Sequence, residues 1–549
     1  LIFKTNALNK IQHMKKNLLQ TGSYLAVFVI IIFQSCIKYP NLKPTNGINS
    51  ANVYTNAAGY KSVLAKVYGS FATTGNQGPA GNGDVQGIDE GFSDFYRMFW
   101  EAEELSTDEA VISWGDVGVQ DFHNMNWSPN NSFITGLYYR SLYQITLCNE
   151  FIRQSSDKEL SSRGITGGDA DQIRQFAREA RFLRAFQYWV LMDIFGNPPF
   201  STEATVIGGA PPPQITRSNL FNYIESELKA IEPDMPAPHT NEYGRADKAA
   251  VWALLARLYL NAQVYSGTTR YTDAITYSKK VIDAGYSLIS NYSWLMLADN
   301  NLNTSNTGEF IFTINYDGIH TQGYGGTTFM THAAVGGSMS AASFGIDGGW
   351  AGIRVTKNLP ALFPGYPAFT TITDTRAEFY TSGQNLDIQD LTKFTDGLAV
   401  TKFKNLQRNG SPGSNLSFSD IDMPLFRLPE MYLIYAEAVL RGGTGGDQST
   451  ALGYINNLRT RAYGNNSGNI TSGQLTLDFI LDERARELYW EGFRRTDLIR
   501  YNKFVEASYL WPWKGGVASG TAVPAYRKLY PLPSRDINAN TNLVQNPGY

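Results

Sequence analysis

Carboxylates and arginines crowd one stretch of this 549-residue chain, Asp482–Arg500, the first place to look for acid/base chemistry. Asp482–Arg486 and Glu491–Arg495 are four residues apart; Glu491–Arg494 and Asp497–Arg500 are three apart. On a helix those spacings put opposite charges side by side on the surface. Each carboxylate then has an arginine in reach that keeps it ionised, the wrong state for a general acid. The stretch therefore reads as structural. Glycoside hydrolysis needs two carboxylates across a sugar ring, and no recognisable glycosidase motif is present. The five histidines, His13, His123, His239, His320 and His332, form no H-E-x-x-H pattern or close His/Asp cluster, so no catalytic metal is expected. The run Gly323-Tyr324-Gly325-Gly326 lacks the Lys-Ser/Thr of a phosphate loop.

Non-covalent recognition is better supported. Trp114 and Asp116 follow Ala110-Val111-Ile112-Ser113, and His123, Asn126 and Trp127 come shortly after. A second group is Asp347-Gly348-Gly349-Trp350, and Tyr324 stands in the glycine run. A Trp flanked by glycines is poorly explained as core, because flexible backbone does not hold a core residue well. Exposed Trp and Tyr rings stack on sugar faces, while Asp and Asn serve the hydroxyls. Trp114, Asp116, Asn126, Trp127, Tyr324, Asp347 and Trp350 are the candidate glycan contacts. The competing reading is that Trp114 and Trp127 pack beneath their loops. Trp189 and Trp252 lie in apolar helical patterns and are expected in the core.

The bulk numbers agree with a binder. Net charge is −3, so there is no electrostatic case for nucleic acid or an anionic membrane surface. Aromatic content is 13%, which suits either sugar stacking or a large helical core. Two cysteines, Cys36 and Cys148, exclude a disulfide framework. Cys148 lies in an apolar helix and reads as a buried, inert thiol.

The N-terminal segment reads as an address. Residue 1 is Leu, so Met14 is taken as the start and Leu1–His13 as upstream sequence. Lys15 and Lys16 precede the apolar run Leu25–Phe33, which ends at Gln34-Ser35-Cys36. The run is too short for a membrane span and fits a signal-peptide core. A cysteine directly after it is similar to a bacterial lipobox, with Ser35 fitting the pattern and Phe33 departing from it. Acyl chains on Cys36 would anchor the mature protein.

Residues 36–52, with Pro40 and Pro44, read as a tether, and 53–549 as one domain. Helical periodicity marks Ala58–Phe71, Phe133–Gln154, Ala170–Phe195 and Leu220–Ile231. Ala249–Tyr265 with Tyr271–Ala284, and Leu428–Arg441 with Ala451–Ala462, form helix pairs that resemble tetratricopeptide repeats. Such pairs bury their faces only against neighbours, so a right-handed scaffold of stacked units is expected. The frame covers 53–315 and 425–549; a loop-rich, short-β insertion occupies about 316–424. The fold class is mainly α.

Three C-terminal motifs carry a family resemblance. They are Phe426-Arg427-Leu428-Pro429-Glu430-Met431-Tyr432; Ile480–Arg500; and Tyr530-Pro531-Leu532-Pro533 followed by Asp536-Ile537-Asn538 and Gln545-Asn546-Pro547-Gly548-Tyr549. Arg181–Phe186 leading to Phe195-Gly196-Asn197-Pro198-Pro199, and Asp374-Thr375-Arg376, add to them in the same order. Together they resemble the SusD/RagB family of outer-membrane nutrient-uptake lipoproteins. The resemblance implies a SusD-like fold and Asp482–Arg500 as a structural helix. It implies a non-enzymatic, lipid-anchored binder of oligosaccharides on the cell exterior, without cofactor, delivering ligand to a SusC-like TonB-dependent transporter. Two other classes stay open at this point: a surface glycosidase on a helical scaffold, and a protein-only lid for the transporter.

Overall fold

Helix burial explains the architecture. In the computed structural model, helix α4 (Gly167–Phe195) is amphipathic in its first half and buried at every residue from Phe182 onward. A helix apolar all round needs neighbours on every side. Those neighbours are α1 (Ala57–Gly69), α3 (Ser132–Gln154) and α5 (Arg217–Ile231). Helix α2 (Phe95–Glu104) packs on α3 and is likewise wholly buried. The structure describes residues 10–11, 14–16, 50–79, 81, 83–304 and 308–549. Thr55–Tyr549 form one compact unit; Leu1–Tyr54 form a separate one, in which Ser50–Val53 is a short helix at the end of the expected tether. The apolar run Leu25–Phe33 and Cys36 lie outside the described residues. No described helix is long and apolar enough to cross a membrane.

The expected helix pairs are present. Helices α6 (Lys248–Leu260) and α7 (Tyr271–Ile282) pack together, and α7 packs on α9 (Leu428–Leu440), which pairs with α10 (Gln448–Tyr463). Fully buried Ala253, Ala256 and Ala274 allow close approach of the helix backbones. Asp247 caps α6 by accepting from the Ala249 and Ala250 amides. Trp189 is buried as expected; Trp252 is only part-buried, its indole N–H donating to Glu232 at 2.8 Å. Cys148 is fully buried, and burial pushes its thiol up to about 12, so it is inert.

The irregular insertion starts and ends on one two-stranded sheet. Strand β2 (Phe310–Ile314) pairs antiparallel with β6 (Met423–Arg427), Phe310 opposite Arg427. Between them lie α8 (Gly326–Ala333) and the strands β3 (Ile353–Arg354), β4 (Phe379–Tyr380) and β5 (Ala399–Val400). Strand β3 pairs with β1 (Val111–Ile112), Val111 opposite Arg354, and so ties the insertion to the N-terminal half.

The charged C-terminal stretch departs from expectation. It is two helices, α11 (Leu477–Leu488) and α12 (Arg494–Arg500), with a turn between them. Trp490 (φ 63°) and Gly492 (φ 82°) are left-handed in that turn. A Cβ at Gly492 would stand 2.7 Å from the Phe99 ring, so glycine permits the close approach to α2. The charges are also buried rather than superficial. Glu491 pairs with Arg427 and Lys402, each at 2.7 Å, not with Arg494 or Arg495. Arg494 grips Asp108 through two 2.7 Å bonds, and Arg495 reaches Glu103 and Asp193. Arg486 pairs with Glu483 rather than Asp482, whose carboxyl burial pushes up. Of the four spaced pairs, Asp497–Arg500 forms as expected, at 2.8 Å. Arg427 and Arg376 are the hubs: Arg427 bonds Glu309, Glu487 and Glu491, and Arg376 bonds Asp374, Glu483 and Glu487. These motifs are a buried electrostatic knot joining β6, α11 and the insertion.

Candidate functional site

Three of the candidate aromatics meet on one arc. The β1–β3 pairing brings the segment after Ile112 beside the segment before Ile353. That places the Trp114 indole N–H 3.0 Å from the Trp350 carbonyl, which accepts it. The two rings lie 6.4 Å apart at 44°, and Tyr324 continues the row 6.3 Å from Trp350 at 56°. Phe418 flanks the far end, 5.6 Å from Tyr324. A Cβ at position 352 would stand 2.6 Å from the Trp114 ring, so Gly352 is what lets the strand pass beneath the indole.

Two of the three rings pack against side chains of α8. Phe329 meets Trp114 edge-on at 5.9 Å, and His332 stacks on Trp350 at 4.7 Å and 26°. Both come from α8, three residues apart and so on one face. The His332 Nδ1–H donates to the Gly348 carbonyl at 2.6 Å. Burial pushes that imidazole below its ordinary pKa, against Gly348 and Asp347, so it stacks as a neutral ring. The Arg97 guanidinium lies 4.5 Å from the Phe329 ring and 5.5 Å from Trp114, within reach for cation–π attraction. It also donates to Glu101 at 3.0 Å and to the Tyr324 carbonyl at 3.4 Å. Burial pushes Glu101 up to about 7 despite Arg97.

Trp114 and Trp350 are part-buried, and Tyr324 is 36% exposed. Two candidate carboxylates stand near them. Asp347 is exposed, accepts a bond from the Ser417 hydroxyl and lies 4.0 Å from His332. Asp116 is exposed on the Trp114 loop. The platform thus sets partly exposed rings beside two exposed carboxylates.

Trp127 and Asn126 are not part of that platform. Trp127 is 1% exposed; its N–H donates to the Tyr549 hydroxyl at 2.6 Å and its ring lies 4.4 Å from Tyr530. A ring covered by the C-terminal tail has no face left for a ligand, so the packing alternative describes Trp127. Asn126 is exposed beside it, and its amide N–H donates to the Asp121 carbonyl. Trp127→Ala is expected to destabilise the fold by about 3–5 kcal/mol. Trp127→Phe should leave ligand affinity at the parental level; denaturant melts and a binding titration check both.

Sequence reasoning missed Arg97, Phe329 and Phe418, and passed over His332 as a lone histidine. Nothing in the local pattern of α2 or α8 distinguishes a core aromatic from one that braces a surface ring. Among the described residues no group of His, Cys, Asp and Glu could hold a metal ion. An apolar hollow of about 290 Å³ lies elsewhere, between α1, the loop at Tyr243 and β2. Its charged rim is paired within the protein, Lys61 with Glu242 and Arg245 with Glu179, so it offers little to read a polar ligand.

The chain is similar to known proteins in sequence and in fold. The model of the SusD family matches residues 368–549, and one described as "Starch-binding associating with outer membrane" matches 93–260. The Starch-binding protein SusD of Bacteroides thetaiotaomicron is 37% identical over 530 residues, 89% of this chain and 92% of that one. SusD-like protein P2 of Formosa agariphila is 26% identical, over 79% of this chain and 85% of its own. Surface glycan-binding protein A from Bacteroides fluxus shares the fold, with a TM-score of 0.67 at 21% identity over 90% of this chain and 99% of that one. So does its Bacteroides thetaiotaomicron counterpart, solved with laminarihexaose, with a TM-score of 0.65 at 20% identity over 89% and 98% of the two chains.

Proposed function

We propose that this chain, which belongs to the SusD family, captures oligosaccharides on the arc of Trp114, Trp350 and Tyr324 without cleaving them. The observation that carries the reading is the turn between successive rings, 44° and then 56°, at nearly constant spacing. A flat ribbon such as a β-1,4-glucan meets one such ring at a time. A coiled α-1,4-glucan presents a curved face, which suits rings that are not coplanar. The preferred ligand is therefore an α-glucan, in keeping with the starch-binding name of the 37%-identical relative. Stacking without deep enclosure gives moderate affinity per sugar, which suits capture followed by release. The nearby carboxylates support binding over hydrolysis: Glu101 is fully buried against Arg97, and Asp347 is held by Ser417.

The receiving partner in this reading is a SusC-like TonB-dependent transporter, with Cys36 as the lipid anchor at the outer membrane, facing the cell exterior. Titration of the form beginning after Cys36 with maltoheptaose, cellohexaose and laminarihexaose tests the ligand. Maltoheptaose should bind at least tenfold more tightly than either β-glucan, and chromatography of the mixture should show no shortened products. Equal affinity for all three, or release of short sugars, would overturn it.

A further inference from the structure

One buried carboxylate links the starts of the two helices behind the arc. Asp94 is 2% exposed and sits immediately before α2. Its Oδ1 accepts the Arg97 amide at 3.0 Å, capping its own helix, and the Gly326 amide at 2.8 Å, at the first residue of α8. One oxygen thus serves two helix N-termini from distant parts of the chain. Burial pushes Asp94 up to about 6, while these amides and Arg140 oppose the shift.

Both helices lead directly to the arc. Tyr324 lies two residues before Gly326, and α8 supplies Phe329 behind Trp114 and His332 behind Trp350. Helix α2 supplies Arg97, which faces Trp114 and holds the Tyr324 carbonyl. The approach is tight. A Cβ at Gly325 would stand 2.1 Å from the Asp94 Cβ, and one at Gly326 (φ 53°) would stand 2.4 Å from the Tyr316 ring. The two glycines let α8 begin against Asp94.

We propose that Asp94 is a positioning residue for the arc: its double cap sets where α8 starts and thereby where all three rings stand. This rests on the arc as the glycan site. It separates Asp94 from an ordinary helix cap, whose loss would cost stability without a specific effect on binding.

The test compares Asp94→Asn with Asp94→Ser. The Asn amide oxygen can accept both amides. The shorter Ser side chain still caps α2 but does not reach Gly326, so it spares folding better than Asp94→Ala. In the Ser variant, hydrogen exchange of the amides from Gly326 to Phe329 should quicken roughly tenfold, and maltoheptaose affinity should fall roughly five- to twenty-fold. The Asn variant should match the parent in both. Combined with Trp350→Ala, the Ser change should add little further loss, because it acts through the rings. Unchanged exchange in the Ser variant, or faster exchange with parental affinity, would overturn the proposal. A parent that binds no glycan would instead sink the functional reading, and the exchange comparison would still decide whether Asp94 sets the start of α8.

Discussion

Trp350→Ala is expected to weaken maltoheptaose binding by about 2 kcal/mol, roughly thirtyfold, with little change in melting temperature. Trp350 is the centre of the arc. It lies between Trp114 and Tyr324, and its carbonyl receives the Trp114 indole proton. Removing the ring leaves the two outer rings separated by a gap and strips the cover from His332. Because Trp350 is part-buried in a loop, the fold loses few core contacts. Trp350→Phe should recover part of the affinity, since a smaller ring still stacks. Calorimetric titration of both variants against the parent decides the matter. Parental affinity in Trp350→Ala would place the glycan elsewhere.

A large stability effect, about 3–5 kcal/mol, is expected at Arg427→Leu. Leucine replaces the volume of the side-chain stem but leaves the carboxylates of Glu309, Glu487 and Glu491 with one buried cation fewer. The pH response should also change. In the parent, burial alone would raise Glu487 and Glu483, but the arginines outweigh it, holding Glu483 at about 2 and Glu487 well below its ordinary value. Carboxyls depressed on folding contribute stability that is full above about pH 4.5 and is lost as pH falls toward 2. Without Arg427, Glu309, which burial already holds above its ordinary value, should rise further, and Glu491 should rise with it. A carboxyl raised on folding contributes stability that grows as pH falls through its folded pKa. The parent already carries such groups, Glu101 among them, so the variant should gain more stability than the parent between pH 7.5 and 5.5. Urea melts across that range provide the check, and parallel profiles for the two proteins would mean the knot is not electrostatically coupled.

The two effects separate the family's motifs from the proposed ligand site. Arg376, Arg427, Glu483, Glu487 and Glu491, which make the chain recognisable, are buried and hold the frame together. Trp114, Tyr324 and Trp350 stand on loops of that frame, where side chains can vary without unfolding it.

What the sequence by itself determined is local. Apolar periodicity and caps specified some helices of the frame nearly to their ends: α3 was expected from Phe133 and begins at Ser132, and α9 was expected to Arg441 and ends at Leu440, whereas the helix expected over Ala249–Tyr265 stops at Leu260 and α2 was not expected. Ring chemistry nominated Trp114, Tyr324 and Trp350, which the structure brings together, and also Trp127, which it buries. What lay beyond it was every fact depending on which distant segments meet. The left-handed turn at Trp490–Gly492 answers to Phe99 in α2, so packing breaks the single helix that the family resemblance implied for Asp482–Arg500. Trp127 and Trp114 look alike in sequence; only the C-terminal tail, through Tyr530 and Tyr549, buries the first. Trp114 meets Trp350 because β1 pairs with β3 across more than two hundred residues. Periodicity records which face of an element is apolar, but not which partner will cover it, and that choice belongs to the tertiary packing.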